Sequence, residues 1–302
     1  MRIASLLASG TELVCALGLG ESLVGRSHEC EEPAWVRALP QLSRPTFPID
    51  GPSGEIDGHV RARLRAGQPL YEVDDAALTA LAPDVILTQT HCEVCAVSPG
   101  DIACKVPPHL ERRRVVSLDG GTLESVLEGF ENVANVLGVG EEGRALVRGL
   151  RVRAAAVAER VRGAAAPSVA CIEWIDPVFA MGNWGPELVT LAGGRSVLGQ
   201  AAARSTTTTW DAVLAADADA LVVAPCGFSI ARTLAEMPAL AARPGFRDLR
   251  AARAGRVFAA DGNAWFNRAG PSLFETPEIL AEMLHPKLFA PAHRGTAWEI
   301  WL

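Results

Sequence analysis

The residues of this 302-residue chain best suited to chemistry are Cys92 and Cys95 in a CxxC spacing, His91 just before them, and His28 and Cys30 on an earlier loop. Two residues of turn bring a pair of thiolates to one point, so Cys92-Glu-Val-Cys95 suits a metal ion or a redox pair. A zinc site needs further ligands, and His28, Cys30 and His91 are the candidates. A redox pair would open a helix, yet Ala96-Val-Ser-Pro99 does not continue as one. Two reduced cysteines shaping a tight loop are the remaining reading. Beside the thiols only Glu29 and Glu93 offer themselves as bases, so a thiol- or metal-dependent sensor or enzyme is a third choice.

A second set of residues speaks for binding rather than reaction. Trp35, Trp174, Trp184, Phe228, Trp265 and Phe266 all fall in loops or at expected strand ends. As a group they suggest an aromatic-lined cleft for a large, flat, partly apolar ligand. Ser9, Thr11, His28, Glu29, His91 and Asn267 stand in the same loops and complete the expected ligand-binding set. No residue is expected to be catalytic, and GxxxxGK[ST], HExxH and GxSxG motifs are absent. Gly138-Val-Gly-Glu-Glu-Gly143 spells GxGxxG but follows a helix instead of a strand.

These loops need elements to hold them. Arg2 to Leu7 reads as a buried strand, then a polar turn, a helix from Glu12 to Leu17 and a strand from Ser22 to Arg26. A long irregular stretch, Ser27 to Gly67, follows. A helix over Asp74–Leu81 and strands over Asp84–Gln89 and Arg114–Leu118 complete a first α/β unit. Apolar residues at three- and four-residue spacing predict helices over Thr122–Leu137 and Glu141–Arg162. The second, roughly 22 residues and ~33 Å long, could bridge two lobes. The order then repeats, with strands over Ser168–Trp174 and Asp219–Ala224 and helices over Glu187–Leu191 and Trp210–Ala216. GTELVCALGLGESLVG (Gly10 to Gly25) even lies beside GPELVTLAGGRSVLG (Gly185 to Gly199) with one residue dropped. Two α/β lobes, residues 1–138 and 167–302, joined by a connector at 139–166, are therefore expected, with ligands at the carboxyl ends of their strands.

Composition narrows the partners. A net charge of −7 argues against nucleic acid, which demands clustered Lys and Arg. No stretch reaches the ~18 apolar residues of a membrane span. Ser9, Gly10, Thr11 and Glu12 interrupt the apolar opening, so no signal peptide is read there. Seven cysteines, an odd number, fit a reducing compartment. A cytoplasmic monomer is expected, or a periplasmic protein if a leader has been removed.

RIASLLASGTELVCALGLGESLVGRSHECEEP, PDVILTQ leading into CEVCAVS, IEWIDPVFAMGNWGPELVTLAGG, APCGFSIART and DGNAWFNRAGPSLFETPEILAEMLHP together resemble the cobalamin-binding, BtuF-like branch of the substrate-binding proteins of ABC transporters. The resemblance spans Arg2 to Pro286. It implies two Rossmann-like lobes joined by one long helix, the class III, helical-backbone arrangement, with a corrinoid such as vitamin B12 held between them. It also implies a partner, either an ABC permease or a cytoplasmic corrinoid-handling protein. Haem or a siderophore complex is the alternative cargo, and a thiolate or imidazole at the HEC and CEVC loops could bind the cobalt or a separate metal ion.

Overall fold

The computed structural model describes residues 1–89, 97 and 114–302. Its first lobe is a parallel sheet in the order β2-β1-β5-β6, built from β1 (Ile3–Ser5), β2 (Leu23–Gly25), β5 (Val85–Thr88) and β6 (Arg114–Ser117). β3 (Ser43–Pro45) and β4 (Tyr71–Val73) form a separate antiparallel pair. In the second lobe β7 (Ser168–Trp174), β11 (Ala220–Val223) and β12 (Val257–Ala260) run parallel. Short edge strands complete that sheet: β8 (Phe179–Ala180), β9 (Arg195–Ser196), β10 (Thr206–Thr207) and β13 (Trp298–Ile300). Buried apolar runs such as Val85-Ile-Leu87 and Ala220-Leu-Val-Val223 are what a parallel sheet covered on both faces requires.

Around the first sheet lie α1 (Ala8–Ala16), α2 (Ser53–Arg65) and α3 (Asp75–Leu81). α4 (Leu123–Val136) follows the first sheet, and α5 (Gly140–Arg160) leads from it toward the second. Thr122 and Ser125 cap α4 reciprocally, each side chain accepting from the other's backbone N–H. Gly138, at φ 78°, makes the left-handed turn between the two helices. α6 (Gly185–Leu191), α7 (Trp210–Ala216), α8 (Ile230–Ala241), α9 (Arg250–Arg253) and α10 (Thr276–Leu284) surround the second sheet.

One apolar cluster runs from Ile3 and Leu87 through Phe130, Val147 and Val157 to Val169, Phe258 and Phe274. It fills the inner side of both sheets and the helices between them, while each sheet's other face has its own smaller cluster. The two-lobed α/β class expected from the sequence is the observed one.

Local differences have physical causes. The helix expected from Glu12 begins at Ala8, so Ser9, Gly10 and Thr11 are its first turn rather than a polar loop. The stretch expected to be irregular, Ser27 to Gly67, contains a 3-10 turn (Ala34–Ala38), β3 and α2. Gly54 and Gly58 weaken the helical signal of α2, but Ile56, Val60 and Leu64 keep one four-residue stripe. Ile56 of that stripe is buried and Val60 packs on the first lobe's outer cluster.

Candidate binding cleft

The carboxyl ends of the parallel strands in the two lobes face each other. From the first lobe come Leu7, Ala8 and Ser9 after β1, Glu29 after β2 and Gln89 after β5; from the second come Cys226 and Gly227 after β11, Gly262 and Asn263 after β12, and Asn267–Ala269. They enclose about 40 Å³. This is well under the roughly 300–1,000 Å³ of small-molecule pockets.

Arg268 is the centre of the polar lining. Its guanidinium donates to Asn263 Oδ1 at 2.5 Å and to the Glu29 carbonyl at 3.3 Å, and so reaches from the second lobe to the first. Burial raises the carboxyl of Glu29 above its ordinary range, and Arg268 opposes that shift. Asp261 is likewise raised by burial, against hydrogen bonds from the Ala264, Ile230 and Asn263 backbones and the nearby Arg268. Asn267 donates its amide to the Ala224 carbonyl at 2.8 Å. Gly262 lies against the next loop: a Cβ there would collide with the Pro225 carbonyl, so the residue must be glycine.

Carboxylates close the lobes around this lining. Glu12 accepts from the backbone N–H of Ser272 and, at 2.9 Å, from its hydroxyl. Glu187 accepts from Leu123 N, the first N–H of α4, at 2.8 Å. Glu236 accepts from the backbone N–H and the hydroxyl of Ser53, the first residue of α2, both at 2.6 Å. Each carboxylate therefore caps the start of a helix or 3-10 turn in the other lobe, where unpaired N–H groups favour negative charge. Arg232 adds bonds to the Ile49 and Gly51 carbonyls, at 2.6 and 2.8 Å, and Trp174 Nε1 donates to the Ser53 carbonyl at 3.2 Å. Burial pushes the Glu12 carboxyl up to about 7, against the pull of its Ser272 bonds and Arg268.

The expected site residues are distributed unevenly. Ser9, Glu29 and Asn267 line the cavity. Thr11 is buried beneath it, its hydroxyl donating to Cys30 Sγ at 3.0 Å. The expected aromatic wall has a different fate. Trp184, Phe228 and Phe266 are buried, with Trp184 Nε1 donating to the Phe266 carbonyl. Trp265 bonds Glu275, Trp35 lies 48% exposed beside Gly20, and Trp174 stands edge-on to Phe228 at the lobe boundary. Gln89, Cys226, Asn263 and Arg268 also line the cavity, though they were not among the expected site residues.

The metal set is divided as well. His28 packs on Tyr71 with Nδ1 at 3.0 Å from Ser43 Oγ, and burial lowers its pKa to about 4. Cys30 is 1% exposed and also meets Ser27 Oγ at 3.2 Å. His91, Cys92 and Cys95 lie outside the described residues. Among the described residues no group of three or more His, Cys, Asp or Glu side chains could hold a metal ion.

A family model described as "Periplasmic binding protein" matches residues 3–264. The chain belongs to the periplasmic binding protein family. Members of this family bind small molecules and work with ABC permeases rather than acting as enzymes. Among solved structures, the chain is similar to a periplasmic heme binding protein from Pseudomonas aeruginosa, at 21% identity and TM-score 0.70, over 95% of this chain and 93% of that one. It is also similar to the periplasmic vitamin B12 binding protein BtuF of Vibrio cholerae, at 17% identity and TM-score 0.66, over 94% and 96%. An ABC-type Fe3+-hydroxamate transport system from Saccharomonospora viridis gives 20% and 0.65, over 94% and 93%. At such identities the likeness is one of fold. No curated protein matches the chain. The family's description does not support the cytoplasmic placement expected from the sequence, and no helix among the described residues is long and apolar enough to cross a membrane.

Proposed function

We propose that this protein captures a corrinoid between its lobes as cargo for an ABC permease. The observation that carries the reading is the lining of the cleft. Gln89, Asn263, Asn267 and Arg268 bring amides and a guanidinium from both lobes to one point, and the rim of a corrin is a ring of amides. The sequence stretches that resemble cobalamin binders contain all four, since Gln89 ends PDVILTQ, and Asn263, Asn267 and Arg268 lie in DGNAWFNRAG. In the present arrangement the cavity does not admit a tetrapyrrole, so capture requires the carboxylate caps to release and the lobes to part. Ser9, Glu29 and Asn267 are assigned to the ligand, joined by Gln89, Asn263 and Arg268. Trp174, at the lobe boundary, is assigned to the ligand's exposed edge.

Haem is the second reading, favoured by Arg268, whose planar fork matches a propionate carboxylate. Titration of the purified protein with cobalamin, haemin and a ferric hydroxamate, followed by visible spectrum and binding heat, separates these cargoes. A cobalamin complex formed at micromolar concentration is expected. Absence of binding at tens of micromolar, or preference for haemin, overturns the corrinoid reading.

A further inference from the structure

At the end of the second lobe away from the cleft, the starts of the parallel strands surround an open depression of about 680 Å³. Ala165, Ala166 and Pro167 before β7 and Ala254 after α9 give it apolar walls. Arg250 and Arg253 of α9 and Arg256 before β12 edge it with guanidiniums, in a chain whose net charge is −7. Asp219 is the one carboxylate in the lining.

The charges are not all committed. Arg250 donates Nη1 to Asp219 at 2.8 Å and Nε to Asp217 at 3.1 Å. The other oxygen of Asp219 receives both Ser168 N, at 2.8 Å, and Ser168 Oγ, at 2.6 Å. These acids are thus answered by Arg250 and Ser168. Arg253 and Arg256 have no carboxylate within ion-pair distance among the described residues. Arg256 gives one long bond, 3.3 Å, to the Leu284 carbonyl, and its buried Nε has no partner.

Two guanidiniums outside any close ion pair, of which Arg256 still feels the charge of Asp219, stand beside apolar walls and define a ligand class. A phosphate monoester carries close to two negative charges at neutral pH, and its oxygens fit the arginine fork. The volume lies within the range of small organic ligands and far exceeds what inorganic phosphate fills. From these features we infer that the depression formed by Arg253, Arg256 and the Ala165–Pro167 wall is a second binding site, separate from the cleft, for a small organic phosphate.

The test uses adenosine 5′-monophosphate as probe, with the full chain, in isothermal titration and in proton NMR at low salt. Binding to the native protein is expected, weakened about tenfold or more by Arg253→Glu, as for loss of a charge-assisted hydrogen bond with reversal of charge. Arg253 is exposed and holds no other side chain among the described residues, so this variant should fold, which its circular dichroism and melting temperature check. Arg256→Gln should weaken binding in the same direction. Equal binding by native protein and Arg253→Glu, or no binding at millimolar probe, overturns the site. Inorganic phosphate that binds as tightly as the nucleotide overturns the assignment of an organic ligand.

Discussion

Glu12 and Glu187 hold the same place in the two halves of the chain, in GTELV and GPELV, and each crosses to the opposite lobe to bond a backbone N–H, that of Ser272 and of Leu123 respectively. The repeat visible in the sequence is thus also a reciprocal fastening. Removing one side of it by Glu187→Ala leaves the first N–H of α4 without that acceptor. The loss expected is about 1 kcal/mol, the usual scale for a helix cap. Urea unfolding at pH 7 measures it, and an unchanged midpoint would contradict the role given to Glu187.

Glu12 adds a pH dependence of definite sign. Its carboxyl is raised from 4.5 to about 7 in the folded protein, so between those values the folded state holds more protons than the unfolded one. Its favourable contribution is complete below pH 4.5 and lost as pH rises through 7. Glu12→Gln should therefore gain stability relative to the native protein on going from pH 5 to pH 8, by on the order of 3 kcal/mol at most. His28, lowered to about 4, works in the opposite sense, its contribution being lost as pH falls from 6.5 toward 4. Melting curves of both proteins from pH 5 to pH 8 decide the matter; parallel curves would sink the assignment.

Gly262 offers a steric test. A methyl group at this position meets the Pro225 carbonyl, so Gly262→Ala must push apart the loops that follow β11 and β12. A cost of about 1–3 kcal/mol, the range for overpacking, is expected together with weakened cargo binding. A variant that keeps native stability would show that the two loops can separate freely.

Arg268→Ala should weaken cobalamin binding by at least about tenfold if the guanidinium meets the ligand. It also removes the charge that opposes the upward shifts of Glu29, Asp261 and Glu12, so their carboxyls should rise further. Carbon-detected NMR titration of the carboxyl groups reads this second effect independently of any ligand.

What could be read from the chain beforehand was whatever rests on local pattern. The apolar spacing of Leu123, Val126, Leu127, Phe130 and Val133 matches the buried face of α4, and β7 and α7 begin and end where their residues predicted. The cleft depends on encounters across the chain, and these have no local mark. Arg268 meets Glu29 across 239 positions and Glu236 meets Ser53 across 183, so neither pair could be found by spacing. The aromatics misled for a related reason. Trp184, Phe228 and Phe266 do stand at strand ends, but they are buried, and the partners that Trp184 and Phe228 meet, namely Phe266, Trp174 and Arg232, belong to the same lobe. Their placement in sequence marks where the loops gather, not which side chains face the cavity.

The apolar cluster that passes from Ile3 through Phe130 to Phe274 also governs how the molecule comes apart. Two lobes linked by a flexible strand can melt as independent units, each with its own transition. Here the connecting helices α4 and α5 contribute side chains to the same interior as both sheets, so neither half keeps a complete core once the other has unfolded. The protein should lose its structure in a single calorimetric transition, and a chain divided between the lobes should yield two fragments that fold only on meeting.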